Sequence, residues 1–270
     1  VIEGSRVPVL VPNNPGHPSY FKVVYVRMHP TATAETHNHP WLIWPYGGAD
    51  TMEGGKIRDE NAIGRGSLSG AAAMVICLAN FHIPEYKIPG EVVGGEITDG
   101  HAHPLRQYRE GKNGALAHGN RYGEPLFMGG FRTFEQYVCG VRTGFRKLVG
   151  YGAGIGRIWT DHIAKAEPES GMLVVRFGGP VYEVGVGGGS ASSGMLESIE
   201  LNKKSVQRGN GEMSRKGFCV IRACVELGVK NPIKMINDQG AGGLSNAATE
   251  LMKLMGGVMY IRELTLGDIT

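Results

Sequence analysis

Glycine is what most constrains how this chain can fold. Forty-three of its 270 residues are glycine, against a usual share of about 7%. They fall in runs with no collagen-like period, such as Gly47-Gly48, Gly54-Gly55 and Gly185–Ser193. Glycine adopts backbone conformations closed to other residues and lets the backbone approach other groups closely. The run Gly47–Gly70 therefore reads as a long, glycine-punctuated loop. It follows the stretch Ala34–Pro40, AETHNHP, and carries Lys56, Arg58 and Asp59.

The remaining composition narrows the class. Hydrophobic residues make up 41% and charged residues 20%, which suits a globular chain and not a disordered one. No apolar run approaches the ~20 residues of a membrane-spanning helix. A net charge of +3 is too small to argue for nucleic acid. The four cysteines, Cys77, Cys139, Cys219 and Cys224, form no CxxC pair and read as reduced thiols of a cytoplasmic protein. The N-terminus lacks the layout of a secretory signal.

Periodicity predicts the elements. Phe21–Met28 alternates and is β-branched, so a strand is expected, and Thr31–Glu35 extends to deliver Glu35–His39. The apolar run Ala71–Ile83 suits a buried strand or a helix, and a strand through Met74–Leu78 is expected because the run is short and bounded by Gly70 and Pro84. Residues 84–130 read as loop-rich, and Phe131–Phe145 as a short helix. Further strands are expected at Met172–Phe177, Val181–Val186, Ile233–Ile236 and Val258–Glu263. Val206–Leu227 holds a helix, with Val220, Cys224 and Leu227 on one face. Leu244–Met255 holds another, with Leu244, Ala248, Leu251 and Met255 in register. The texture changes near 140–150, which divides the chain into 1–145 and 146–270.

The chemistry-bearing residues allow several readings. On an extended segment His37 and His39 face one side. They are polar loop residues, an HxH metal pair, or contain a general base. The glycine run offers backbone N–H groups to phosphate, with Lys56 and Arg58 as charged donors to an anion. It is not a Walker A motif. Glu35 and Asp59 are oxygen ligands suited to Mg²⁺. Asp238, after a predicted strand and before a predicted helix, sits where α/β folds bind ligands.

Taken in order, ETHNHP, GGADTMEGGKIRD, GRG, HIPEY, GNRYGEP, GGPVYEVGVGGGSASS, VQRGNGEM, VIRACVE and DQGAGG resemble phosphoribosylformylglycinamidine synthase. The likeness is to the large eukaryotic-type form and runs along essentially the whole chain. The resemblance implies an ATP-dependent ligase of purine biosynthesis. ATP phosphorylates the amide oxygen of formylglycinamide ribonucleotide, and glutamine-derived ammonia displaces phosphate from the iminophosphate to give the amidine. It implies an α/β and α+β fold, with AIR-synthase-like N-terminal (1–145) and C-terminal (146–270) domains, both incomplete. The first domain's strands would join a partner domain in a barrel.

Carried over by position, the resemblance implies that His37 is the catalytic base. Glu35, Asp59 and Asp238 would bind Mg²⁺. Thr36, His37, Asn38, His39, Arg58 and Gln207 would contact substrate. ATP would meet Gly48, Ala49, Asp50, Thr51, Met52, Glu53, Gly54, Gly55, Lys56, Ile57, Arg58 and Asp59, and also Met128, Gly129 and Gly130. The chain departs from the family pattern at Asp50, Met52 and Glu53, where small residues are usual, and at Trp41 and Trp44. Two extra carboxylates beside phosphates would repel them unless each points away or meets a cation. Thr33 matches the eukaryotic-type form. The family's second synthase half and glutaminase domain are expected on the same longer chain, without which this piece would be inactive. Two other readings are a degenerate nucleotide-binding or scaffolding homologue and a metal-dependent hydrolase using His37 and His39.

Overall fold

A computed structural model describes the backbone of residues 18–27 and residues 40–91, 93–97, 100–179, 210–240, 243–253 and 256–263. Strand β1, Pro18–Arg27, is the expected first strand. A short α1, Pro40–Ile43, leads into α2, Pro45–Asn61. Then come β2, Leu68–Leu78, and α3, Pro104–Tyr122. β3, Leu126–Thr133, precedes the hairpin of β4, Glu135–Val138, and β5, Val141–Gly144. β6, Val149–Trp159, is followed by α4, Gly211–Val225, and α5, Gly243–Met252.

The main sheet has the order β1-β6-β2-β3. β6 runs antiparallel to both β1 and β2, while β2 and β3 are parallel. The expected division between residues 145 and 146 falls just before β6, a strand hydrogen-bonded on both sides into this sheet. α2 and α3 cover one face. Met74, Ile76 and Leu78 of β2 pack there with Trp41, Leu42, Ala49, Met52, Ala115 and Leu148. The other face stays open, with Phe127 and Ile155 exposed. α4 docks Phe218 against Ile57, Leu68 and Tyr122, extending the core around the end of α2.

The structure corrects the loop expected at Gly47–Gly70: residues 45–61 are helical. Thirteen of the 17 residues of α2 are buried, so the helix is an inner layer and not a surface cradle. Its glycines serve close approach. A Cβ on Gly54 would come within 2.7 Å of the His118 ring. From the other side, one on Gly114 of α3 would lie 2.1 Å from the Tyr46 carbonyl oxygen. Gly150 and Gly154 of β6 likewise leave room for Met52 and Glu60. Glycine costs a helix about 1 kcal/mol relative to alanine, and packing at these contacts offsets it.

Residues 104–122, expected as loop, form α3. Pro104 opens it, His103 Nδ1 accepts from the Leu105 N–H at 3.2 Å, and Gly123 ends it in a left-handed conformation. The helix expected over Phe131–Phe145 is instead the end of β3 and the β4–β5 hairpin. Cys139 and Gly140 both take positive φ at its two-residue turn, the backbone that matches strand twist. Met172–Phe177, Ile233–Ile236 and Val258–Glu263 are not strands. Leu173 and Val258 are exposed, and an apolar run without a partner strand gains little from extension. α4 and α5 are the two expected helices. The buried face of α4 is Phe218, Ile221 and Val225, whereas Val220 and Leu227 of the expected face are exposed. The expectations for Thr31–Glu35, Val181–Val186 and Gly187–Ser193 lie outside the described residues.

Candidate active site at the end of α2

The last turn of α2 carries Arg58 and Asp59, both half-buried. Arg58 Nε lies 3.9 Å from Asp238 Oδ2, so two stretches 180 residues apart in sequence meet here. The Asp238 segment is tied down by backbone recognition. Arg65 donates from Nε to the Ile233 carbonyl at 2.8 Å and from Nη2 to that of Asn231 at 2.7 Å. Asn231 returns a bond to the Arg65 carbonyl at 2.9 Å. The His162 ring lies 3.0 Å from the Gly228 carbonyl, and the Ala166 N–H donates to Lys234. Asp238 Oδ2 accepts from the Gly240 N–H at 3.1 Å, which fixes its carboxylate in a turn.

Of the expected metal ligands, Asp238 thus reaches the helix turn that bears Asp59. Glu35 lies outside the described residues, as do the substrate candidates Thr36, His37, Asn38, His39 and Gln207. Among the described residues no group of three or more His, Cys, Asp or Glu side chains is arranged to hold a metal. Two carboxylates are nonetheless within the number that Mg²⁺ takes from protein when substrate phosphates supply the rest.

The structure also changes how the stretch from Gly48 to Asp59 can meet a nucleotide. Interior helical N–H groups are used within the helix, so they cannot wrap phosphate as a loop would. Lys56 is not available to an anion either. Its ammonium donates to Glu124 Oε2 at 2.6 Å and lies 3.2 Å from Glu53 Oε1 and 3.7 Å from Glu60 Oε2. All four side chains are almost fully buried. The two acids that break the family pattern both meet cations. Asp50 Oδ1 pairs with His118 Nδ1 at 2.7 Å, and Arg121 Nη2 stands 3.8 Å from Asp50 Oδ2. Glu53 faces Lys56. Met52 fills the core beside Gly150. Met128, Gly129 and Gly130 lie on β3. Met128 pairs with Met74 beside the β2–β3 register shift and packs against the core, and Gly129 is exposed.

Sequence reasoning missed this buried cluster. Its signal was present: Glu53, Lys56 and Glu60 follow i, i+3, i+7 spacing, one face of a helix. Reading the stretch as a loop hid it. Burial pushes Glu53 up to about 7 and Glu60 up to about 8 from an ordinary 4.5, with Lys56 opposing the rise. Burial works against the Lys56 ammonium, but Glu53, Glu60 and Glu124 together carry it above the usual lysine value. Burial also raises Tyr122 to about 12. Its hydroxyl meets Ser69 Oγ at 2.5 Å and accepts from Asn61 Nδ2 at 3.3 Å.

These shifts have a definite sign. The folded chain holds protons on Glu53 and Glu60 that the unfolded chain has released above pH 4.5. Stability is therefore lost as pH rises from about 4.5 through 7 and 8. Without ligands, the thermal midpoint is expected to be higher near pH 5.5 than near pH 8.5, and Glu60→Gln to flatten that dependence. A midpoint that rises with pH, or an unchanged slope in the variant, contradicts this assignment.

Comparison with known proteins places the fold in a class. Residues 169–265 match the family described as AIR synthase related protein, C-terminal domain. The fold is AIR-synthase-like and mixed α/β: a structure of Thermotoga maritima PurL complexed with FGAR shares it at a TM-score of 0.60. That match has 22% identity and covers 92% of this chain and 34% of the other. A second T. maritima PurL structure, complexed with ATP, matches at a TM-score of 0.53 and 20% identity, over 87% of this chain and 29% of that one.

The sequence relatives are more specific. The chain is 42% identical, over its whole length, to human phosphoribosylformylglycinamidine synthase, of which it spans 20%. It is equally similar to an Arabidopsis thaliana protein named as a probable chloroplastic/mitochondrial form of that enzyme, of which it spans 19%. The Dictyostelium discoideum synthase is 39% identical over all of this chain and 20% of its own length. The chain thus spans about a fifth of these relatives. No helix among the described residues is long and apolar enough to cross a membrane.

Proposed function

We propose that this chain is the first AIR-synthase-like unit of a phosphoribosylformylglycinamidine synthase. The longer protein would convert formylglycinamide ribonucleotide, ammonia from glutamine and ATP into formylglycinamidine ribonucleotide, ADP and phosphate. The observation that carries the reading is 42% identity along all of this chain to a protein of that name. The meeting of Arg58 with Asp238 supports it, because it assembles a charged site from two motifs far apart in sequence.

In this reading the helix end, not a glycine loop, presents the reactive groups. Asp59, Asp238 and Glu35 would hold Mg²⁺, which would supply positive charge beside the phosphoryl group, and Arg58 would add its own, since phosphoryl transfer is catalysed mostly by positioning and electrostatics. Thr36–His39 and Gln207 contact substrate. His37 takes the proton as ammonia adds and phosphate leaves. Gly55, Arg58 and Asp59 are the part-exposed residues of the expected nucleotide stretch, and Met128–Gly130 add a second contact. The second synthase half and the glutaminase domain belong to the same longer chain and act in the cytoplasm. The open sheet face with Phe127 and Ile155 suits a barrel partner from that half. Asp50, Met52 and Glu53, which motivated a degenerate homologue, are accounted for by pairing and packing.

The full-length protein is expected to turn over ATP only when formylglycinamide ribonucleotide and ammonia or glutamine are both present. Residues 1–270 alone are expected to be inactive, lacking the complementary half-site. ATP turnover indifferent to the ribonucleotide would contradict the proposal.

A further inference from the structure

Arg58 is a long side chain in the candidate site, and the turn of α2 beneath it shows what fixes its head group. Helical side chains lean toward the helix N-terminus, over the preceding turn. Here that turn holds Gly54 and Gly55. A Cβ on Gly54 would lie 3.1 Å from Arg58 Nη1, and one on Gly55 3.7 Å from Arg58 Nη2. The guanidinium therefore rests on bare helix backbone, in a seat that side chains at these two positions would fill.

His118 of α3 walls that seat. The same Cβ on Gly54 would meet the His118 Cε1 at 2.7 Å and Nε2 at 3.2 Å. The edge of the imidazole and the guanidinium thus close on one point. The ring is held from behind. Its Nδ1 lies 2.7 Å from Asp50 Oδ1, and Arg121 Nη2 stands 3.8 Å from the other oxygen of that carboxylate. His118 is fully buried and Asp50 is 5% exposed, so neither has room to swing away.

The order of these groups carries the argument. Asp50, Gly54 and Arg58 are spaced four apart, on one face of α2. With Nδ1 donating to the Asp50 carboxylate, Nε2 is the acceptor edge of the ring, and it lies on the Gly54 side. A ring polarised in this sense turns its electron-rich edge toward the guanidinium. On the site side, Asp238 Oδ2 stands 3.9 Å from Arg58 Nε. Arg58 is therefore placed by glycines below, an imidazole on one flank and a carboxylate ahead. A buried pair that served only to join α2 to α3 would have no need to reach the arginine.

We propose that His118, oriented by Asp50, is a positioning residue that holds the Arg58 guanidinium in the pose in which it meets the phosphoryl group. This rests on the proposed ligase function, in which Arg58 supplies charge at that group. Displacing such a group by about 1 Å costs on the order of a hundredfold in rate.

The test uses the full-length protein with formylglycinamide ribonucleotide, Mg-ATP and ammonia. Asp50→Asn and His118→Phe are each made alone and together with Arg58→Lys. Asp50→Asn keeps the volume and removes the charge that orients the ring. His118→Phe keeps a ring and removes its nitrogens. Each single variant is expected to lower kcat by about ten- to a hundredfold, with the KM for Mg-ATP near wild type. Arg58→Lys has already lost the planar fork that the ring aligns. In that background the same two substitutions should lower kcat by less than about threefold further. A merely structural role predicts the same factor in both backgrounds, and that result overturns the inference, as does wild-type kcat in both single variants. If His118→Phe does not fold, the Asp50→Asn cycle decides. A wild type that does not consume the ribonucleotide removes the proposed function itself and is seen before any variant is compared.

Discussion

Lys56→Met should lower the thermal midpoint of this protein by roughly 10 °C, the largest stability loss expected from a single side chain here. The substitution keeps the length and apolar stem of the lysine but removes the charge. Glu53, Glu60 and Glu124 then remain buried, with Glu60 Oε1 and Oε2, Glu53 Oε1 and Glu124 Oε1 already without hydrogen-bond partners among the described residues. Removing one partner of a buried ion pair costs about 3–5 kcal/mol, and about 2–4 °C of midpoint accompanies each kcal/mol at this size. The loss should be smaller near pH 5.5 than near pH 8.5, because protonated Glu53 and Glu60 need the ammonium less. The same experiment separates two roles for Lys56. If the lysine held a nucleotide phosphate, as the sequence suggested, Lys56→Met would weaken ATP binding and leave the unliganded midpoint alone.

The largest catalytic loss is expected from His37→Ala in the full-length protein. His37 stands three residues before Pro40, the first residue of α1. A side chain that accepts or returns a proton in the reacting complex typically contributes about 10²- to 10⁴-fold. Turnover should fall by that order while ATP affinity, set by phosphate and metal contacts, stays near wild type. Turnover at the wild-type rate would mean that another group handles the proton. A parallel loss of ATP affinity would mean that His37 supports the nucleotide and not the chemistry.

Much of the scaffold was legible in the sequence where one segment carries its own signal. β1 followed from alternation and β-branching, and β2 from a short apolar run bounded by Gly70 and Pro84. α4 and α5 followed from helical spacing, although the face that α4 buries did not. Phe218 is buried because Tyr122 and Ile57 stand opposite it, and periodicity within α4 cannot report that. α2 was hidden for a related reason. Its glycines look like loop residues until α3 and β6 are in place, when Gly54 faces His118, Gly114 faces Tyr46 and Gly154 faces Glu60. Glycine at a helix contact and glycine in a loop are the same letter, and tertiary contact decides between them. The strands expected at Met172–Phe177 and Val258–Glu263 failed the other way. Their composition favours extension, but no partner strand meets them among the described residues.

The candidate site was legible in part. The order of motifs singled out Arg58, Asp59 and Asp238, and the structure brings Arg58 and Asp238 to one place. The sequence placed Asp50 and Glu53 beside phosphates, where they would repel. Their partners, His118 and Lys56, lie on helix faces that no loop reading would have paired.

In the proposed function the complete protein activates an amide oxygen with ATP so that ammonia can replace it. The direct measurement supplies formylglycinamide ribonucleotide labelled with heavy oxygen at that amide, together with Mg-ATP and ammonia. The mass of the released phosphate is then followed. One labelled oxygen is expected in each phosphate, matched by formation of the amidine and ADP. Unlabelled phosphate, released whether or not the ribonucleotide is consumed, would contradict it.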